Sequence, residues 1–126
     1  VVLSLFPGIQ ANIFEHALDA PELKGVVMRS FGSGNAPQQA WLIETLKKAS
    51  QRGVSIVNIS QCVTGFVEMG RYDTGYQLKG TGVISGQDCT VEAAVTKLMY
   101  LYGRYGDDTK TIRELLCIPL AGEFQI

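Results

Sequence analysis

The chain has 126 residues, of which 46% are hydrophobic and 18% charged, and its formal net charge at pH 7 is −1. These values predict one soluble globular domain with its own core, and the near-neutral charge argues against nucleic acid or an anionic membrane surface as a partner. No apolar run approaches the ~20 residues that a membrane-spanning helix needs. The three cysteines, Cys62, Cys89 and Cys117, are too few and too widely spaced for a disulfide framework or a zinc site, and they indicate reduced thiols in a cytoplasmic protein.

The first part of the chain has the pattern of a strand followed by a helix. Residues 1–5 are apolar enough for a buried strand, and Ile9, Ile13 and Ala17 recur at helical spacing, which predicts a helix over about residues 9–19. Chain ends are usually polar and frayed, so a chain that starts at Val1 in the middle of such a strand is unusual. We therefore expect residues 1–126 to be one domain cut from a longer protein.

A second strand and helix follow, and then a third strand. The second strand is predicted over about residues 25–30, and the next helix should begin near Pro37 and end at Gly53. Residues 54–59 are apolar with two polar interruptions, which is typical of a strand covered on both faces.

The second half of the chain begins with its least regular stretch, residues 61–80, which we interpret as an excursion over one edge of the sheet. Residues 83–85 predict a brief fourth strand. Thr90 is placed to cap a helix that starts at Val91, and residues 107–109 are placed to cap a last helix. The sum is an α/β fold: a three-layer α/β/α domain with a mainly parallel, flavodoxin-like sheet of about four strands.

Two polar segments follow neighbouring strands of this predicted sheet. The first is Arg29-Ser30-Phe31-Gly32-Ser33-Gly34-Asn35-Ala36-Pro37, and the second is Ser60-Gln61-Cys62. If both strands are parallel, the two segments lie on the edge where α/β sheets bind ligands, and they can face one molecule.

Arg29 is the most informative side chain of this edge. A guanidinium group at the end of a buried strand needs a carboxylate, because an unpaired charge is costly to bury. One candidate is the carboxylate of a ligand, which the guanidinium group would bind through two parallel hydrogen bonds. The alternative is the side chain of Glu44, Asp73 or Asp88. Asn35 beside it either binds an amide or carboxylate group or braces the turn.

The residues do not form the usual catalytic or cofactor motifs. Gly32 and Gly34 lack the third glycine and the acidic residue of a dinucleotide site, and we interpret them as turn residues. Cys62 has no histidine near it in sequence, and the only histidine, His16, is predicted to lie on the surface of the first helix. We therefore expect a packed thiol at Cys62, and neither a catalytic group nor a metal or cofactor site in this chain.

A series of motifs resembles the C-terminal domain of type I, cytoplasmic L-asparaginases over almost the whole chain. The motifs are Val2-Leu3-Ser4-Leu5-Phe6-Pro7-Gly8-Ile9, the segment from Arg29 to Pro37, Val57-Asn58-Ile59-Ser60-Gln61-Cys62, Tyr72-Asp73-Thr74-Gly75, Gly82-Val83-Ile84-Ser85-Gly86 and Asp88-Cys89-Thr90-Val91-Glu92-Ala93-Ala94-Val95-Thr96-Lys97-Leu98. Their order and spacing together carry the resemblance.

The resemblance implies a parent enzyme that hydrolyses asparagine to aspartate and ammonia without a cofactor. The family's catalytic threonines, aspartate and lysine lie in its N-terminal domain, in Thr-Gly-Gly-Thr-like and His-Gly-Thr-Asp-Thr-like motifs that do not occur here. This chain is therefore expected to be the C-terminal domain, without the catalytic N-terminal domain, and inert alone. The family also implies a homo-oligomer, a dimer or a tetramer.

The resemblance further implies an asparagine effector site near the subunit interface. The family's arginine, asparagine and cysteine of that site fall on Arg29, Asn35 and Cys62, and its threonine falls on Ser60, which keeps the hydroxyl and lacks the methyl. Cys89 replaces the more usual methionine, which we interpret as a packing change.

Two other functions stay open. One is a stand-alone domain that binds an amino-acid carboxylate over Arg29, although the start at Val1 argues against it. The other is the asparaginase-like subunit of a tRNA-dependent amidotransferase, which the lack of a basic surface disfavours.

Overall fold

The computed structural model describes residues 1–5, 10–30, 40–60, 81–86 and 89–122, with Ser60 described by its backbone alone. Within these ranges the strands are β1 (Val2–Ser4), β2 (Gly25–Ser30), β3 (Ser55–Ser60) and β4 (Ile84–Ser85), and the helices are α1 (Ala11–Leu18), α2 (Ala40–Gln51), α3 (Val91–Tyr105) and α4 (Thr109–Leu116). The strands form one parallel sheet in the order β1-β2-β3-β4. The predicted α/β fold is confirmed. None of these helices has the length and hydropathy that crossing a membrane would require.

The sheet is covered on both faces, so the core has two halves. One half joins the sheet to α1 and α2 and includes Val26 and Met28, whereas the other joins it to α3 and α4 and includes Val27. Successive side chains of a strand point to opposite faces, so a strand that is buried on both sides reads as a continuous apolar run. This explains the unbroken Val-Val-Met sequence of β2.

The buried face of α1 differs from the one that its sequence pattern indicated. Ile13 is 64% exposed, whereas Phe14 and Leu18 are each 1% exposed and belong to the core. The ring of Phe14 packs edge-on against Trp41 of α2, with 5.7 Å between ring centroids. Phe14 and Leu18 have the same four-residue spacing as Ile13 and Ala17 but bury more apolar area. The helix is therefore rotated about its axis so that Phe14 and Leu18 face the core.

The predicted helix caps of the second half are confirmed. The Thr90 hydroxyl oxygen accepts a hydrogen bond from the Ala93 N–H at 3.1 Å, and an Asp108 carboxylate oxygen accepts one from the Thr111 N–H at 3.2 Å. The hydrogen bonds from Thr111 also hold the pKa of Asp108 below its ordinary value. Gly53 follows α2 with a φ of 94°, a left-handed conformation that glycine adopts without steric cost.

Side chains from the α3–α4 layer anchor the amino ends of the strands. Arg113 Nη2 donates hydrogen bonds to the carbonyl oxygens of Ser50 at 2.7 Å and Val54 at 3.1 Å, just before β3. The Tyr102 hydroxyl donates to the Lys24 carbonyl oxygen at 2.7 Å, just before β2. These contacts fix the end of the sheet that lies opposite the predicted ligand edge.

Candidate functional site

The carboxyl ends of β2 and β3 lie side by side in the sheet. Ser30 is in register with Ser60, and Arg29 is in register with Ile59. Neighbouring strands are about 4.8 Å apart, so the backbones of Arg29 and Ser60 are within a few ångströms of each other. The sheet thus brings together the starting points of the two polar segments that the sequence analysis singled out.

Arg29 is half-buried, and its strand position determines which face it occupies. It is two residues from Val27, so its Cβ lies on the face of the sheet that α3 and α4 cover. Glu44, one of its three candidate ion-pair partners, belongs to α2, which covers the opposite face of the sheet. Its Oε1 atom lies 3.8 Å from Lys48 Nζ. Glu44 is therefore a poor partner for Arg29.

The backbone around Arg29 is tied to both neighbouring strands. Its carbonyl oxygen accepts a hydrogen bond from the Leu5 N–H at 2.9 Å, beyond the end of β1. The hydroxyl of the fully buried Ser30 donates to the Ile59 carbonyl oxygen at 3.3 Å. Three strand ends are therefore fixed to one another, which gives any group bound at this edge a rigid base.

The fourth strand also reaches this edge. The N–H of Gly86, directly after β4, donates to the Asn58 carbonyl oxygen at 2.8 Å. Asn58 is fully buried, and its neighbour Ile59 is 1% exposed. The carboxyl end of β3 is consequently held between β2 and β4, and its Asn58 and Ile59 side chains are buried.

The structure describes only some of the other residues that the sequence analysis named. Asn35 and Cys62 lie outside the described residues, as do Asp73 and Asp88, the remaining candidate partners of Arg29. His16 is exposed on α1, as predicted, with Nδ1 2.7 Å from the Asn12 carbonyl oxygen. Among the described residues, no cluster of three or more His, Cys, Asp or Glu side chains could hold a metal ion.

Sequence reasoning did not single out Lys97, which is only 9% exposed although it carries a charge. Its Nζ donates to the carbonyl oxygens of Leu116 at 3.3 Å and Ile118 at 2.7 Å. Lys97 lies three residues after Ala94 and four before Leu101, and both are buried. That helical spacing could have placed it on the buried face of α3.

The family profile described as "Glutaminase/Asparaginase C-terminal domain" matches residues 1–116. The chain belongs to this family. It is 45% identical over 122 residues to L-asparaginase 1 of Escherichia coli K12, covering 97% of this chain and 36% of the relative. The crystal structure of L-asparaginase I from Vibrio cholerae superposes with a TM-score of 0.92 at 40% identity, covering 99% of this chain and 37% of that one. The resemblance seen in the motifs is thereby confirmed.

The same domain also occurs in proteins with different names. The chain is 45% identical over 122 residues to a 60 kDa lysophospholipase of Homo sapiens, covering 97% of this chain and 21% of the relative. The chain is 36% identical over 119 residues to a glutamyl-tRNA(Gln) amidotransferase subunit from Methanopyrus kandleri, covering 94% of this chain and 25% of the relative. The chain therefore spans between about a fifth and about a third of the length of these curated relatives. Family membership identifies the domain, and the activity of a whole protein is a separate question.

Proposed function

We propose that this chain is the C-terminal domain of a cytoplasmic L-asparaginase, which hydrolyses asparagine to aspartate and ammonia. The observation that carries the proposal is the likeness to L-asparaginases in both sequence and structure, with 45% identity to the Escherichia coli enzyme and a TM-score of 0.92 against the Vibrio cholerae enzyme. The sequence comparison spans 36% of the Escherichia coli enzyme, which leaves room for a catalytic domain elsewhere in the parent chain.

The second part of the proposal is an asparagine effector site at the carboxyl edge of β2 and β3. Arg29 binds the effector carboxylate through its guanidinium group, and Asn35 and Ser60 offer an amide and a hydroxyl to its other polar groups. Cys62 packs against the ligand. In support, Arg29 and Ser60 stand on adjacent strand ends that the backbone holds in fixed register.

The isolated 126-residue chain should fold and yet release no ammonia from asparagine. Its sequence contains neither threonine motif of the family's catalytic domain and no recognisable motif of a nucleophile with its base. An ammonia-release assay on the purified chain, with a complete L-asparaginase as the positive control, measures this. Turnover that co-purifies with the chain through a second column would contradict the prediction.

We further propose that the parent enzyme is a homo-oligomer and that α3 contributes to its interface. Tyr102 packs within the domain, but Tyr100 is 57% exposed and its neighbour Met99 is 70% exposed. Tyr100 and Tyr105 border a cavity of about 620 Å³ whose walls include Leu115 and Leu120. An exposed tyrosine beside an apolar hollow is a common anchor in protein interfaces.

Replacing Tyr100 by glutamate should therefore shift the full-length protein toward the monomer, because a charge would have to be buried at the contact. Light scattering over a range of protein concentrations measures the change. Lys47→Glu is a matched control, since Lys47 is an exposed residue on α2, which packs on the opposite face of the sheet from α3. An unchanged oligomer in Tyr100→Glu would remove this surface from the interface.

The amidotransferase subunit remains the second candidate, because a relative of that name covers 94% of the chain. Its identity of 36% is lower than the 45% to the L-asparaginase, which favours the first proposal. Dependence of ammonia release on an acylated tRNA and a second subunit would support the amidotransferase.

A further inference from the structure

Gly86 lies directly after β4, where the chain contacts the carboxyl end of β3. It is buried, its N–H donates to the Asn58 carbonyl oxygen at 2.8 Å, and its own carbonyl oxygen accepts from the Cys89 N–H at 3.0 Å. The two backbones are thus in direct contact one residue before Ile59 and two before Ser60.

A side chain at position 86 would have no room. A Cβ atom there would lie 2.5 Å from Ile59 Cγ2, 3.0 Å from the Asn58 carbonyl oxygen and 3.0 Å from Val57 Cγ1. Ile59 is 1% exposed, so it cannot move aside without disturbing the core, and the Asn58 oxygen belongs to the strand backbone. Gly86 does not have the left-handed φ that would itself call for glycine. Space is therefore the reason for a glycine here.

We propose that Gly86 is a positioning residue for the effector site, because it allows the end of β3 to lie where Ile59 holds its register partner Arg29 at the ligand edge. This inference rests on the proposed function. A methyl group at position 86 must push the end of β3 away from β4, which shifts Ile59 and its ladder partner Arg29 together. The effector would then meet a strand end in the wrong place, while a catalytic centre in another domain keeps its geometry.

The test is Gly86→Ala in the full-length protein that carries this domain, with asparagine as the probe. We expect the half-activating asparagine concentration to rise by roughly tenfold, the order expected of overpacking in a well-packed site. The fully activated rate should change much less. Hydrogen exchange of the Ile59 and Ser60 amides should also become faster, because their strand end is displaced.

Gly103→Ala is the matched control, since a Cβ at this position of α3 has no neighbour within 4 Å. Both the activation curve and the exchange of the Ile59 amide should stay as in the unmodified protein.

A second variant separates positioning from a general loss of stability. Ile59→Ala removes the Cγ2 atom that a Cβ at position 86 would meet, so adding it to Gly86→Ala should move the half-activating concentration back toward its original value.

The outcomes distinguish this inference from the proposed function. If the unmodified protein responds to asparagine and Gly86→Ala responds at the same concentration, the inference alone is overturned. If Ile59→Ala makes the Gly86→Ala defect worse, a loss of stability explains the data and the inference is again overturned. If the unmodified protein binds no asparagine away from its active site, both the proposed effector site and this inference are overturned.

Discussion

Replacing Arg29 by alanine should raise the asparagine concentration needed for half-maximal activation of the full-length enzyme at least about tenfold. The reason is the geometry of the site: Arg29 is half-buried at the end of β2, where its guanidinium group would meet the effector carboxylate away from bulk water. Removing one partner of such a pair typically costs about 2–5 kcal/mol, which corresponds to roughly 30- to 4000-fold in concentration. The fully activated rate should change far less, since the proposed catalytic residues belong to another domain.

Two further variants make this measurement specific. Arg29→Lys keeps the charge but loses the two-pronged geometry, so it should fall between the unmodified enzyme and Arg29→Ala. Lys47→Ala removes an exposed positive charge from α2, away from the proposed site and interface, and should leave the substrate curve unchanged. If Arg29→Ala lowers the melting temperature while its substrate curve is unchanged, Arg29 is a structural ion-pair residue, with Asp73 or Asp88 as its partner.

The parts of the fold that follow from local patterns could be predicted from the sequence. The apolar run before Arg29 and the one before Ser60 are β2 and β3, and Thr90 caps α3. Each of these features depends on residues close together in the chain, namely an apolar run with a polar end or a hydroxyl before a helix. That the two polar segments begin on adjacent strand ends followed from a general rule, because parallel strands place their carboxyl ends at one edge.

Features set by contacts between distant residues could not be predicted in the same way. The choice between Ile13 and Phe14 for the buried face of α1 depends on Trp41, which lies on another helix. The need for glycine at position 86 depends on the space beside Ile59, since its backbone conformation gives no hint of it. Such requirements become visible only when the elements are packed together.

Lys97→Met should lower the free energy of unfolding of the chain by about 1.5–3 kcal/mol, the usual contribution of hydrogen bonds to a charged group. The last carbonyl groups of a helix have no donors within the helix, and the Lys97 ammonium group supplies one to Leu116 and another to Ile118. Its positive charge also interacts favourably with the negative end of the α4 dipole. Methionine keeps the apolar stem and its packing, so the loss reports on the ammonium group.

Urea denaturation of Lys97→Met against the unmodified chain measures this difference, with Lys47→Met as the control. Lys47 is exposed on α2, and its replacement should change the stability by no more than about 0.5 kcal/mol. A Lys97→Met chain as stable as the Lys47→Met chain would show that the carbonyl groups at the end of α4 are satisfied in another way. Because Lys97 also lines the cavity beside Tyr100, a loosened end of α4 should weaken the proposed oligomer along with the domain. The two effects would then share one cause: a buried lysine that holds the last helix in place.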